Sequence, residues 1–427
     1  MRVIVVGAGI AGLGAATLFA RRGHTVEVFE AGDRVGGRAL TVASKHGARL
    51  DAGTQYFHTN YRLARGLLRD LGLERQLTTV KGYTRFFDDR VRKGAFRVSH
   101  RLPWFPPAGI ANIGALGPLM RAAFSRFNPY ALDLRPRLDQ AAAWDEICSP
   151  KLREFVLRPL VLAGALSEPE AAAPSLLHAL RLLKIVVLTD YLVLPQGVAS
   201  FHDALAARLS VRRGAKVGRL IVDKAAVTGV ELDGTAELLR ADHVVVATTP
   251  TEAAKLLPVD WVDERRFLNG IEIPPVVLPT FFLDRPLSPD IWSYMSQADR
   301  GRQVSFVIDA ARKNPALAGS ENGILQVWPC YPASKTLVHQ SDTEVAETCR
   351  RELESHFPGF SSWIAEVRVA RHPYAVPFNP VGHQQRAAEF LRCADNRKGV
   401  SFCGDYLTGG FMEAALWSAA RAASRHA

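Results

Sequence analysis

The chain is 427 residues long and 48% apolar, and its 53 Lys and Arg exceed 42 Asp and Glu for a formal net charge of +11. That size suits two to three domains, or two built from interleaved segments, each with a large core. The excess charge is mostly scattered arginine: it reads first as a solvated basic surface and second as one favouring anionic lipid or an anionic substrate, and no basic-aromatic module marks nucleic acid.

The chain opens on a strand, a glycine turn and a helix. Residues 3–6 are an apolar β-branched run that breaks at Gly7, and Gly7-Ala8-Gly9-Ile10-Ala11-Gly12 leads into an alanine-rich helical segment ending at Gly23. A second strand over 25–29 delivers Glu30, which follows Gly7 by about the twenty residues a dinucleotide site requires. Gly7 permits the turn, Gly9 clears the approach of a pyrophosphate, and Gly12 lets helix and strand pack closely. The helix start offers free N–H groups and a partial positive charge to phosphate. Glu30 can accept hydrogen bonds from both ribose hydroxyls and repels a 2′-phosphate. The glycines and the arginine-containing helix set this N-terminus apart from a signal peptide.

A second glycine-rich turn, Gly32-Asp33-Arg34-Val35-Gly36-Gly37-Arg38, comes too soon to open a new domain and predicts a loop folded over the same ligand, with Arg38 offered to phosphate or a ring system. Asp51-Ala52-Gly53-Thr54-Gln55-Tyr56-Phe57-His58 then returns the chain toward it. Together, GAGIAGLGAA, FEAGDRVGGRA and DAGTQYFH resemble the N-terminal signature of the flavin-dependent amine oxidase, protoporphyrinogen oxidase and phytoene desaturase superfamily. The resemblance implies FAD rather than NAD. It places Gly7, Gly9, Ala11 and Gly12 at the phosphates, Glu30 at the adenosine ribose and Arg38 near pyrophosphate and flavin, while Thr54, Gln55 and Tyr56 approach the isoalloxazine. The fold it implies is α/β: a Rossmann-like FAD-binding domain (1–65, 195–265 and 370–427) interleaved with an α+β substrate-binding domain (66–194 and 266–369).

From 61 to 194 the pattern turns helical, with leucines at helical spacing over 62–73 and 152–166. Residues 102–121 have two readings, a wall of the substrate pocket or an interfacial segment making a peripheral membrane contact. A helix over 200–209 and a strand near 215–220 follow, and by resemblance Val217 meets the adenine there. A hairpin-like 221–232 and a strand over 242–247 complete the return. Residues 274–284 and 323–328 have strand character, and 341–356 reads as an amphipathic helix with acid at its start.

The C-terminal stretch 400–420 repeats the opening logic: strand, Gly404-Asp405, a glycine pair, an alanine-rich helix. Its first turn presents partial positive charge, suited to a reduced flavin. By resemblance Asp405 meets the ribityl-phosphate region and Met412 faces the pyrimidine edge. Upstream, Tyr374 and Phe378 are pocket candidates with core packing as their alternative. Two departures from the family stand out: 274–282 contains no lysine where amine-oxidising members carry one, and no cysteine occurs where monoamine oxidases attach FAD. Both imply non-covalent FAD and tilt the chemistry toward carbon–carbon or ring dehydrogenation.

No hydrolytic triad, paired carboxylates or metal site is visible. Five scattered cysteines without a CxxC pair oppose a disulfide framework or zinc and suggest a reducing, cytoplasmic setting. No uninterrupted apolar run reaches the roughly 20 residues of a spanning helix. The expectation is therefore an FAD-dependent oxidoreductase of the desaturase or oxidase type, using oxygen or another electron acceptor on a largely apolar small molecule, isoprenoid-like or polycyclic. Tyr56, His58 and Tyr374 are the candidate proton acceptors or relays. An amine oxidase and a flavin-binding protein without turnover are the alternatives.

Overall fold

The computed structural model describes residues 1–425 other than 46, 88–96, 100–125, 133–134, 148, 187–188, 236, 297–301 and 320–322. The β-branched run at the start forms Arg2–Val6, the middle strand of a five-stranded sheet whose pairings are all parallel. Thr25–Phe29 and then Ser210–Arg212 lie on one side of it, His243–Val246 and then Val400–Phe402 on the other. Val3 and Val5 enter a core shared with the helices Ile10–Ala20 and Met412–Ser424. Ile4 and Val6 enter another, shared with Pro250–Leu256, Val262–Asn269 and His383–Asp395. A sheet covered on both faces needs continuous apolar strands, which is why these runs do not alternate.

Seven strands make a second sheet, in the order Ile364–His372, Val276–Leu283, Gly323–Pro329, Val304–Asp309, Ile291–Ser296, Tyr83–Phe87, Arg97–Ser99. It is antiparallel except between Ile291–Ser296 and Tyr83–Phe87. The architecture is thus mixed α/β, with one parallel sheet and one mainly antiparallel sheet.

Several elements differ in extent from the sequence pattern for local reasons. The helix expected over 62–73 is Leu63–Asp70, and Gly72 follows at φ +74°. Its first turn is capped by Glu413, whose carboxylate accepts the N–H groups of Arg62, Leu63 and Ala64 at 2.7, 2.7 and 2.9 Å. The helix expected over 152–166 contains a π turn, Arg153–Leu157, before Arg158–Ala165, so its periodicity is broken. The hairpin expected over 221–232 starts earlier, pairing Val217–Asp223 with Ala226–Leu232. Asp342–His356 opens with a capping box between Ser341 and Glu344. Residues 102–121 lie outside the described residues. No helix among the described residues is long and apolar enough to cross a membrane.

Candidate active site

At the carboxyl end of the middle strand the chain must turn away at once. Gly7 does so at φ +102°, with its N–H donated to Phe29 O at 2.8 Å. A Cβ on Gly12 would lie 1.9 Å from Gly7 O, so helix and turn approach as closely as a glycine permits. A Cβ on Gly9, in contrast, would meet nothing within 4 Å. The space in front of Gly9 is open and belongs to the cavity described below.

Both oxygens of Glu30 are engaged, accepting Ala8 N–H at 2.8 Å and Gly32 N–H at 2.9 Å. This ties the acid into the turn and leaves its remaining lone pairs for hydroxyl donors. The second glycine turn folds onto the first, since Gly36 N–H reaches Ala8 O at 2.8 Å. Arg38 then crosses to the far end of the chain, bonding Asp405 at 2.8 Å and the Ala375 carbonyl at 2.6 Å. Burial would lower the Arg38 pKa, but the Asp405 charge and hydrogen bond outweigh it and the pKa is raised.

These groups share one elongated cavity of about 570 Å³. Of the residues singled out from the sequence, Gly7, Gly9, Ala11, Glu30, Arg38 and Val217 line it on the parallel-sheet side. Thr54, Gln55, Tyr56, His58, Gly404, Asp405 and Met412 line it as well, and so does Tyr374. Gly12 supports the turn from beneath. Phe378 instead packs in a core with Leu160, Ala179 and Leu183. Cys403 is buried one residue past its strand, its thiol directed at Ala11 O and pushed up to about 12 by burial.

The other end of the cavity is walled by rings. Tyr56 lies 4.5 Å from Tyr191, centroid to centroid, and meets His58 edge-on at 5.4 Å. His58 also neighbours Tyr61 at 5.1 Å and Phe411 at 6.2 Å. Burial pushes the Tyr56 phenol up to about 12 and holds His58 down to about 3, so both are neutral near pH 7. His58 Nδ1 and Trp328 Nε1 are buried without a hydrogen-bond partner, although both side chains line the cavity. Tyr374 stands apart from this group at 37% exposure.

One residue escaped the sequence reading. Lys313, 1% exposed, donates to Gln55 Oε1 at 2.6 Å and to Gln55 O at 3.2 Å, with Asp51 at 3.8 Å. Gln55 Nε2 in turn donates to the carbonyls of Asp51 and Gly53. Burial lowers the Lys313 pKa and raises that of Asp51, and each charge opposes the other's shift. An ammonium group is thus fixed behind the cavity wall, arriving from a strand-to-helix corner 258 positions away from Gln55. The polar Asp51 and Gln55 in an apolar stretch were its one sequence signal.

A glycine turn at one helix start, a second helix start at Met412 and an aromatic chamber thus line one cavity, an arrangement suited to a flavin-dependent oxidoreductase. The chain belongs to the family of flavin-containing amine oxidoreductases, whose model matches residues 10–425. FAD is the cofactor this membership implies. The chain is 30% identical over 277 residues to "Putative flavin-containing monoamine oxidase AofH" of Mycobacterium tuberculosis, a match covering 58% of this chain and 57% of that protein. The chain thus aligns with little over half the length of that relative. Among solved structures, wild-type putrescine oxidase bound to putrescine superposes with a TM-score of 0.76 at 17% identity, covering 100% of this chain and 99% of that one. Cyclohexylamine oxidase of Brevibacterium oxydans gives 0.75 at 20%, covering 99% and 98%. The fatty acid isomerase of P. acnes gives 0.72 at 17%, covering 99% and 98%. At these identities the likeness is one of fold.

Proposed function

We propose that the chain binds FAD non-covalently in a Rossmann-like fold and dehydrogenates a largely apolar small molecule, isoprenoid-like or polycyclic, passing electrons to oxygen or another acceptor. FAD supplies the two-electron acceptor. Gly7, Gly9, Ala11 and Gly12 would receive its phosphates, Glu30 its ribose and Val217 its adenine. Arg38 with Asp405, the Thr54-Gln55-Tyr56 turn and the helix start at Met412 would hold the flavin end. Cytoplasmic placement accords with this reading.

The observation that carries the substrate class is the chamber around Tyr56, His58, Tyr61, Phe306, Trp328 and Phe411, whose side chains are all uncharged. The carboxylates that line the cavity, Glu30, Glu252 and Asp405, sit at the glycine turn, at the Pro250–Leu256 helix and against Arg38. None belongs to the aromatic chamber, so no carboxylate there anchors an ammonium group. His58, whose bare Nδ1 lies at the cavity wall, is the proton relay best placed by geometry, although burial holds its pKa down to about 3, and Tyr56 meets it edge-on. The neighbour named as a fatty acid isomerase supports a fold able to take an apolar chain.

Amine oxidation is favoured by the names of the relatives and is the second reading. Anaerobic titration of the holoprotein with isoprenoids, porphyrinogens and amines separates them. Flavin absorbance at 450 nm should bleach with an apolar compound. Bleaching by amines alone overturns the proposal, and bleaching by nothing but a chemical reductant favours a flavoprotein without turnover.

A further inference from the structure

A second cavity, of about 940 Å³, lies beside the one just described and is basic. Arg62 precedes the helix Leu63–Asp70, and Arg65 and Arg69 follow it at helical spacing, so three guanidinium groups share one face. Arg126 and Lys184 join them in the wall. Glu413 is the carboxylate lining this cavity, and its oxygens are taken by three backbone N–H groups. Glu74 pairs with Arg65 at 2.9 Å and Arg69 at 2.7 Å. Of these cations, Arg62 and Arg126 have side chains with neither hydrogen bond nor ion pair among the described residues.

The basic groups are packed against apolar surface. Lys184 Nζ stands 4.4 Å from the centroid of Phe127, and the Arg135 guanidinium stands 4.9 Å from the same ring. Trp417 and Tyr130 add apolar wall. Tyr61 lines both cavities, and its ring joins His58 at 5.1 Å in the flavin chamber to Tyr130 at 5.4 Å in the basic one.

We propose that the second cavity receives the anionic end of an amphiphilic acid, a carboxylate or phosphate on an apolar chain, whose body runs along Tyr61 toward the flavin chamber. The placement of the body rests on the apolar-substrate reading; the anion site rests on the arginines. It deepens that reading by excluding primary amines, whose ammonium group the basic wall repels.

Calorimetry on the FAD-loaded protein with laurate, dodecanol and dodecylamine, each kept monomeric, tests this without turnover. Laurate should bind at least about tenfold more tightly than either neutral or cationic analogue. The double substitution Arg62→Ala/Arg126→Ala should weaken laurate by about tenfold or more, leave dodecanol unchanged and flatten the salt dependence. An unchanged flavin spectrum checks that the variant is folded, and Arg62→Gln/Arg126→Gln repeats the test with side-chain bulk retained. Equal affinity for the three probes, or laurate binding indifferent to both variants, overturns the proposal. So does binding confined to phosphatidylglycerol vesicles with none to monomeric laurate, which would make the cavity a membrane headgroup site. Laurate binding together with flavin bleaching by amines alone would sink the apolar-substrate reading and leave the anion site standing.

Discussion

The two ends of the first cavity are built by opposite means. At the glycine turn the partners are near one another in sequence: Gly7 meets Phe29, and Ala8 meets Glu30 and Gly36. At the aromatic end Tyr56 gathers Tyr191 and Trp292, and Gln55 is held by Lys313. A phosphate is bound by backbone N–H groups, so a short motif can encode its site. A substrate chamber is bound by side chains, which any segment can contribute once the sheets are assembled.

The largest expected effect separates two glycines of the same motif. Gly12→Val forces a side chain into Gly7 O and should destabilise by more than about 4 kcal/mol, giving insoluble or unfolded protein. Gly9→Val points into open space, so the apoprotein should keep its denaturation midpoint while losing FAD, read as the ratio of absorbance at 450 and 280 nm. If Gly9→Val retains stoichiometric flavin, the phosphates lie elsewhere.

The distant end is probed by Lys313→Met, which leaves Asp51 charged and buried. A loss of about 3–5 kcal/mol in urea denaturation is expected, with at least part recovered by Asp51→Asn in the same chain. Because Lys313 holds both the side-chain and backbone oxygens of Gln55, the flavin spectrum should shift too. A stable variant with an unaltered spectrum would make Lys313 a bystander of the core.

This contrast explains what the sequence made legible. The middle strand, its glycine turn, Glu30 and the Gly404-Asp405 corner each follow from spacing, because backbone conformation and charge at a helix start are local properties. The pairing of Arg38 with Asp405 was only implied as proximity to a common ligand, since 367 positions separate them. Lys313 had no such motif: it ends the short helix Ala310–Lys313, far in sequence from the turn it supports. Glu413 was invisible for the same reason, as its carboxylate caps a helix some 350 positions upstream. Phe378 and Tyr374 fell in one aromatic-rich run, yet the first packs in a core and the second lines the cavity at a solvent-exposed position.

Acid should destabilise the fold through its buried histidines. Burial holds His58 and His178 down to about 3 and His202 and His383 down to about 4, all below the usual 6.5. The unfolded chain therefore binds more protons than the folded one between these values. The contribution is complete above pH 6.5 and is lost as pH falls, at up to about 1.4 kcal/mol per pH unit for each histidine. Replacing His58 by Phe should remove one proton from that slope in urea denaturations run from pH 7.5 to 5. An unchanged slope would mean that His58 is not buried as a neutral ring.

The smallest effect is expected where sequence and structure part over chemistry. Tyr56 and Tyr374 were equal candidates for proton handling, but the first is enclosed by rings and the second is 37% exposed. Tyr374→Phe should change stability by no more than about 0.5 kcal/mol and leave the rate of flavin bleaching as it was. Tyr56→Phe removes a hydroxyl whose proton the chamber retains to about pH 12, and should slow bleaching while leaving FAD bound. Since His58 Nδ1 has no partner, the Tyr56 effect should act through the ring it packs against and appear in the maximal rate more than in substrate affinity. A Tyr374→Phe rate lower than that of Tyr56→Phe would move the reacting atoms to the open end of the cavity, and the uncharged chamber would then bind only the trailing part of the substrate.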